Sequence, residues 1–253
     1  MGTILLDTLA AVFGFLNTVG IIRIAIVAVV LWGGWLGLAR TRIDAAARLR
    51  TWLAIALPLT LWFVGVWVLA ASGAFAPRPG PPIIPLAIVI PLAVGLSLLL
   101  RSKRIGAMLD ALPAHWLVAL QVYRVVGATF LVQWGLGNLS AAFALPAGTG
   151  DFLVGALAIP AALYLRRGTA LARAAAVGWN LLGILDLLLA LSLGFLSQTG
   201  RLPPSPLGYP LVMIPVFVVP LSLLLHAVSL RQLRRRGRLA SSGPLPLAAP
   251  AAE

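Results

Sequence analysis

Apolar runs about as long as a bilayer is thick recur along this chain, and they exclude a soluble architecture. Residues 19–39, 52–72, 83–100, 114–136, 149–165, 174–196 and 211–230 form such runs, each bounded by charge, proline or glycine. A hydrocarbon core of about 30 Å takes roughly 20 apolar residues in a helix to cross. Composition agrees, with 61% hydrophobic and 10% charged residues against an apolar share of about 45–50% in soluble domains. The expectation is an all-α bundle of seven transmembrane helices. Segment 4–16 is apolar but short, and reads as an interfacial helix or an extension of the first span. The N-terminus carries Asp7 and no basic stretch, so an uncleaved chain is expected.

The positions of the basic residues orient the bundle. Arg40, Arg42, Arg48 and Arg50 follow span 1; Arg101, Lys103 and Arg104 follow span 3; Arg166, Arg167 and Arg173 follow span 5. Arg231, Arg234, Arg235, Arg236 and Arg238 follow span 7. With each span crossing once, these fall on one side, while the opposite loops hold Arg78 and Arg201. The positive-inside rule then puts the N-terminus outside and the C-terminus in the cytoplasm. A net charge of +13 in a soluble protein would suggest nucleic acid, but that needs a basic, solvated face. Here the expected partner is the lipid bilayer and no nucleic acid. With no cysteine in the chain, disulfides, thiolate metal sites and thiol nucleophiles are excluded.

Two stretches match without a gap: IPLAIVIPLAVGLSLLLRSKR from Ile84 and IPVFVVPLSLLLHAVSLRQLR from Ile214. Val89 aligns with Val219, Leu100 with Leu230, Arg101 with Arg231 and Arg104 with Arg234. Each follows a Pro- and Arg-bearing loop, and Trp52 and Trp179 each open the span before. The expected organisation is a first three-helix repeat in 1–110, a linker helix in 111–140, a second three-helix repeat in 141–238 and a disordered cytoplasmic tail in 239–253. An odd linker makes the two units parallel. This 3+1+3 arrangement resembles the SWEET sugar transporters in architecture, without the Pro-Gln signature of that wider group.

Ionisable groups inside a membrane cost about 2.5–3.5 kcal/mol each on insertion scales, so they face the interior and find partners. Arg124 lies near the middle of span 4 and Asp186 near the middle of span 6. They are expected to pair across the bundle, with Gln121 and Asn180 completing an asymmetric polar cluster. The pair either locks helices together or lines a cavity that binds or transports a small solute. His115 and His226 are placed toward the cytoplasmic ends of their spans. As a haem or metal pair they lack supporting ligands, so no cofactor and no metal is expected.

Arg23 lies in the outer turn of span 1, free to snorkel outward or to reach Asp151. Asp151 closes the stretch AGTGD, which resembles the Gly-x-Gly-Asp motif of presenilin-like intramembrane aspartyl proteases. That chemistry needs a second aspartate sharing protons, yet Tyr123 is followed by Arg124, and Asp110 is read as lying in a loop. Asp151 itself is placed at the outer end of span 5, as a cap or turn. Nucleophile triads, phosphate loops and HExxH signatures are missing, so no catalytic residue is assigned and the chain is read as more a binder than an enzyme. The stretch from His115 to Asp186 resembles a group of multi-pass bacterial inner-membrane proteins that carry no assigned function, which implies an inner-membrane location. The alternatives to a solute binder are an enzyme at Asp151 or Asp186, and a non-catalytic membrane subunit. A homo-oligomer stays open.

Overall fold

A computed structural model describes residues 21–76, 83–205 and 207–241 of the 253-residue chain. The 4–16 segment, Arg78 and residues 242–253 of the expected tail lie outside the described residues. Among the described residues the regular structure is all helical, with no strand. Six helices are long and apolar enough to cross a membrane: Ala45–Ala71, Ile83–Arg101, Ala114–Gly135, Ala141–Leu165, Ala170–Gln198 and Ile214–Arg235. The protein is therefore a multi-pass membrane protein. A further apolar helix, Ile21–Ala39, precedes them.

In chain order, α1 is Ile21–Ala39, α2 Ala45–Ala71, α3 Ile83–Arg101 and α4 Lys103–Ala111. The next crossing is broken into α5 (Ala114–Leu120), a 3₁₀ turn over Gln121–Gly127 and α6 (Ala128–Gly135). Then come α7 (Ala141–Leu165), α8 (Ala170–Gln198) and α9 (Val219–Ser241), the last preceded by a π-helical turn over Ile214–Val218. Capping side chains set the starts of α2, α4 and α8, that of α4 through Ser102. Asp44 accepts from the Ala47 N–H and Thr169 from the Ala172 N–H, each satisfying one of the first turn's orphan donors.

The structure departs from the sequence reading at three element boundaries. Helix α4 occupies a stretch read as a basic loop. Ser102 caps it by accepting from the Ile105 N–H at 3.2 Å, and its apolar side, Ile105 and Met108, packs on Leu38 of α1. Asp110 is therefore helical, and pairs with Arg235 and, at 3.5 Å, with Arg231. Helix α9 runs to Ser241, so the first residues of the expected tail continue it.

The third departure bears on function. Helix α7 begins at Ala141, not at 149, and Asp151 lies ten residues inside it. Pro146, Gly148 and Gly150 look like loop residues by soluble-protein rules, but small residues in membrane helices let backbones approach closely. A Cβ at Gly148 would stand 2.8 Å from Leu131 Cγ, and one at Gly155 2.5 Å from the Val125 backbone N. That close approach is how α7 packs along the 3₁₀ turn and α6.

Irregular backbone inside a membrane is tolerated where it is buried in protein. The 3₁₀ turn meets this condition, with Gln121, Tyr123, Arg124 and Gly127 all buried. Residues i and i+3 eclipse in a 3₁₀ helix, which aligns Gln121, Arg124 and Gly127. The π turn carries Pro215 and is followed at once by Pro220; prolines remove ladder donors and force such adjustments.

Candidate functional site

Arg124 is a large side chain with only 2% of its surface exposed, and the backbone around it explains how that is possible. Nε donates to Asp151 Oδ1 at 2.8 Å. Nη1 donates to the Gly183 carbonyl at 3.3 Å and contacts His226 Nε2 at 3.2 Å. Nη2 donates to Asp186 Oδ2 and lies 2.7 Å from Asp151 Oδ1. A guanidinium has five N–H donors and no acceptor; four hydrogen bonds and the Nη2–Asp151 ion-pair contact occupy them here. Three other helices supply the acceptors: α7 gives Asp151, α8 gives Asp186 and Gly183, and α9 gives His226.

The tautomer of His226 follows from its neighbours. Arg124 can only donate, so Nε2 accepts, and Nδ1–H donates to Asn180 Oδ1 at 2.9 Å. The imidazole is neutral in this arrangement. Asn180 in turn donates to the Ala176 carbonyl at 2.7 Å. The Trp179 ring lies beside the imidazole, with centroids 5.3 Å apart.

A second set of bonds ties the 3₁₀ turn to α9. The Ser222 hydroxyl donates to the Val218 carbonyl at 2.8 Å, which leaves its oxygen to accept from the Tyr123 hydroxyl at 2.7 Å. Gln121 Nε2 donates to the Ser222 carbonyl at 3.1 Å.

Glycines stand wherever the charged groups meet backbone. A Cβ at Gly150 would overlap the Asp186 carboxylate, and one at Gly127 would overlap the Asp151 side chain. At Gly183 it would lie 2.5 Å from His226 Nε2 and 3.0 Å from Arg124 Nη1. Beside the cluster is a cavity of about 20 Å³, lined among others by Arg23, Tyr123, Arg124 and Asp151. That is room for about one water, which needs roughly 10–15 Å³ on this measure.

Of the residues singled out from sequence, Arg124, Asp186, Asn180, His226 and Asp151 are brought together. Arg124 and Asp186 form an ion pair. Several placements need correction. Asp151 is not a surface cap but a buried partner of the same guanidinium, because α7 starts earlier than expected. Arg23 does not snorkel: it is 5% exposed and donates to the Pro210 carbonyl at 2.9 Å. It borders the same cavity as Asp151. His226 is fully buried inside the bundle, not near an interface, and it serves Arg124 and Asn180. Gln121 donates to the Ser222 carbonyl and makes no hydrogen bond to Arg124. His115 is half-buried at the start of α5, apart from the cluster. Among the described residues no group of three His, Cys, Asp or Glu side chains converges as a metal site. Tyr123, Ser222 and the glycines at 127, 150, 155 and 183 were not singled out as site residues. For Tyr123 and the glycines the one sequence signal was proximity to Arg124, Asp151 and Asp186, and for Ser222 it was its place one helical turn before His226.

Residues 81–234 match a family described as a domain of unknown function, DUF8737. The chain belongs to that family. The matched stretch contains every member of the Arg124 cluster and leaves α1, with Arg23, outside. No curated protein and no solved structure matches the chain.

Proposed function

We propose that this DUF8737 protein binds or carries a small polar solute at the asymmetric site around Arg124, Asp151, Asp186 and His226. The observation that carries this reading is a charged cluster, drawn from four segments, at a crossing whose backbone is broken by a 3₁₀ turn. One buried ion pair suffices to lock helices. Here two carboxylates, a histidine and a backbone carbonyl converge on one guanidinium, against a cavity that also reaches Arg23. Short 3₁₀ stretches inside longer helices often mark hinges, and a hinge at Gln121–Gly127 would let the water-sized cavity widen to admit a solute.

The bundle around this site is read as seven spans in a 3+1+3 arrangement of the bacterial inner membrane, with the basic loops in the cytoplasm. The Ile84 and Ile214 segment match and the alternation of basic loops support it. An aspartyl-protease reading fares worse, since its two carboxylates must be open to a peptide and the attacking water, whereas here a guanidinium bonds to both and the cavity beside them holds about one water.

A second reading, a non-catalytic membrane subunit, is favoured by one observation: all five Arg124 donors are already engaged and the cavity holds about one water. Reconstitution separates the two. The full chain in proteoliposomes is offered a labelled panel of amino acids, sugars, carboxylates and polyamines. The carrier reading expects uptake or thermal stabilisation by at least one compound, lost in Asp151→Asn protein that still elutes as a folded species. No response from wild type across the panel, or an unchanged response in the variant, favours the subunit.

A further inference from the structure

The cluster contains more negative than positive charge. One guanidinium faces two carboxylates, and the imidazole is neutral because its Nε2 accepts from Arg124 and its Nδ1–H is given to Asn180. With both aspartates ionised, Arg124, Asp151 and Asp186 sum to −1; Arg23 borders the same cavity but donates to the Pro210 carbonyl, and among the described residues each aspartate's ion pair is to Arg124. An uncompensated charge in a membrane interior is the costly case. Two carboxylate oxygens are taken, Asp151 Oδ1 and Asp186 Oδ2. Among the described residues the other two, Asp151 Oδ2 and Asp186 Oδ1, receive no hydrogen bond. Asp151 is 6% exposed and borders the water-sized cavity.

We propose that Asp151 and Asp186 together form a binding site for one exchangeable proton. The O–H bond forms on one of the two unpartnered carboxylate oxygens, and the proton arrives from bulk water. The site thereby passes from −1 to neutral, and release reverses the step. A metal cation fits less well. It would share the cavity with the guanidinium groups of Arg23 and Arg124, and the Tyr123 hydroxyl beside it already donates to Ser222. The charged and titratable groups facing the pair are Arg23 from α1, Tyr123 and Arg124 from the 3₁₀ turn and His226 from α9.

The inference rests on the solute-site reading for its purpose, since bound protons would drive or gate solute movement, but not for its chemistry. It also makes an unusual demand on variants. Replacing either aspartate leaves one guanidinium with one carboxylate, a neutral site that needs no proton. Wild type and each single variant should therefore differ by one whole proton per chain.

The test is infrared difference spectroscopy between acid and alkaline buffer on the full chain in lipid nanodiscs. Wild type should show the C=O band of a buried, protonated carboxyl that titrates. The band should vanish in Asp151→Asn and in Asp186→Asn, and persist in Asp110→Asn, whose carboxyl lies in α4 outside this cluster. Thermal melts of each variant check that it is folded. Absence of the band in folded wild type, or its survival in either cluster variant, overturns the proposal. So does its loss at constant pH when sodium replaces choline, since the occupant is then a metal cation. A titrating band without solute uptake would sink the carrier reading and leave the proton site standing. Uptake in protein that lacks the band would do the opposite.

Discussion

Removing Arg124 and then removing its partners stepwise measures how the centre is held. Arg124→Gln strands two carboxylates in the bundle interior and deprives His226 Nε2 of its donor. Breaking a buried ion pair from one side costs about 3–5 kcal/mol, and with two carboxylates affected the upper part of that range applies. Adding Asp186→Asn neutralises one. The double variant still leaves Asp151 beside a glutamine with no cation, so that its carboxyl either stays charged or takes up a proton, a penalty of up to about 2.5–3.5 kcal/mol on insertion scales. Adding Asp151→Asn as well removes the last charge, and the triple variant should return to within about 2 kcal/mol of wild type, because buried ionic groups replaced together are often nearly neutral.

The expected order of stability is therefore wild type, triple, double, single. Equilibrium unfolding in mixed micelles, followed by tryptophan fluorescence, resolves these steps, since about 1.4 kcal/mol is tenfold in the equilibrium constant. If the double and triple variants unfold together, Asp151 contributes nothing to the charge balance and the cluster described above is wrong. If all three match wild type, Arg124 is not held by the carboxylates at all.

Other consequences concern packing, hydrogen bonding and the helix ends. Gly150→Ala pushes a methyl into the Asp186 carboxylate and should cost about 1–3 kcal/mol, whereas Gly178→Ala, with nothing within 4 Å of the new Cβ, should stabilise by roughly 0.5–1 kcal/mol; thermal melts of the two compare them directly. His226→Phe leaves Asn180 Oδ1 and one Arg124 N–H unpartnered, at about 1–3 kcal/mol, and Asn180→Leu added to it should recover part of that loss in the same melts. The Asp44 carboxyl, held below the usual aspartate range by the Ala47 N–H, strengthens the start of α2 above the unfolded-state value and loses that effect as pH falls through the lower folded-state value. Protection of the Ala47 amide from hydrogen exchange, corrected for intrinsic exchange at each pH, should therefore fall in acid and be weak at every pH in Asp44→Ala.

How much of this was legible beforehand depended on which rule governed each residue. The crossings were readable because lipid imposes one length and one composition on all of them, and Arg124 and Asp186 stood out as opposite charges near the middle of their runs. Helix α4 was missed because RSKR outweighed the spacing of Ile105, Met108 and Leu112, which is the apolar stripe of an amphipathic helix lying against α1. Asp151 was misplaced for a related reason: proline and two glycines ahead of it carry a turn meaning in water, whereas between membrane helices they mark where a neighbour comes close. That one boundary decides the electrostatics of the whole site. With α7 starting at 149, Asp151 is at the surface and Arg124 with Asp186 balances to zero; with α7 starting at Ala141, a second carboxylate enters the interior and the same three residues sum to −1. The charge excess that calls for a proton was thus present in the residues all along, but its sign could be assigned only once the start of a single helix was known.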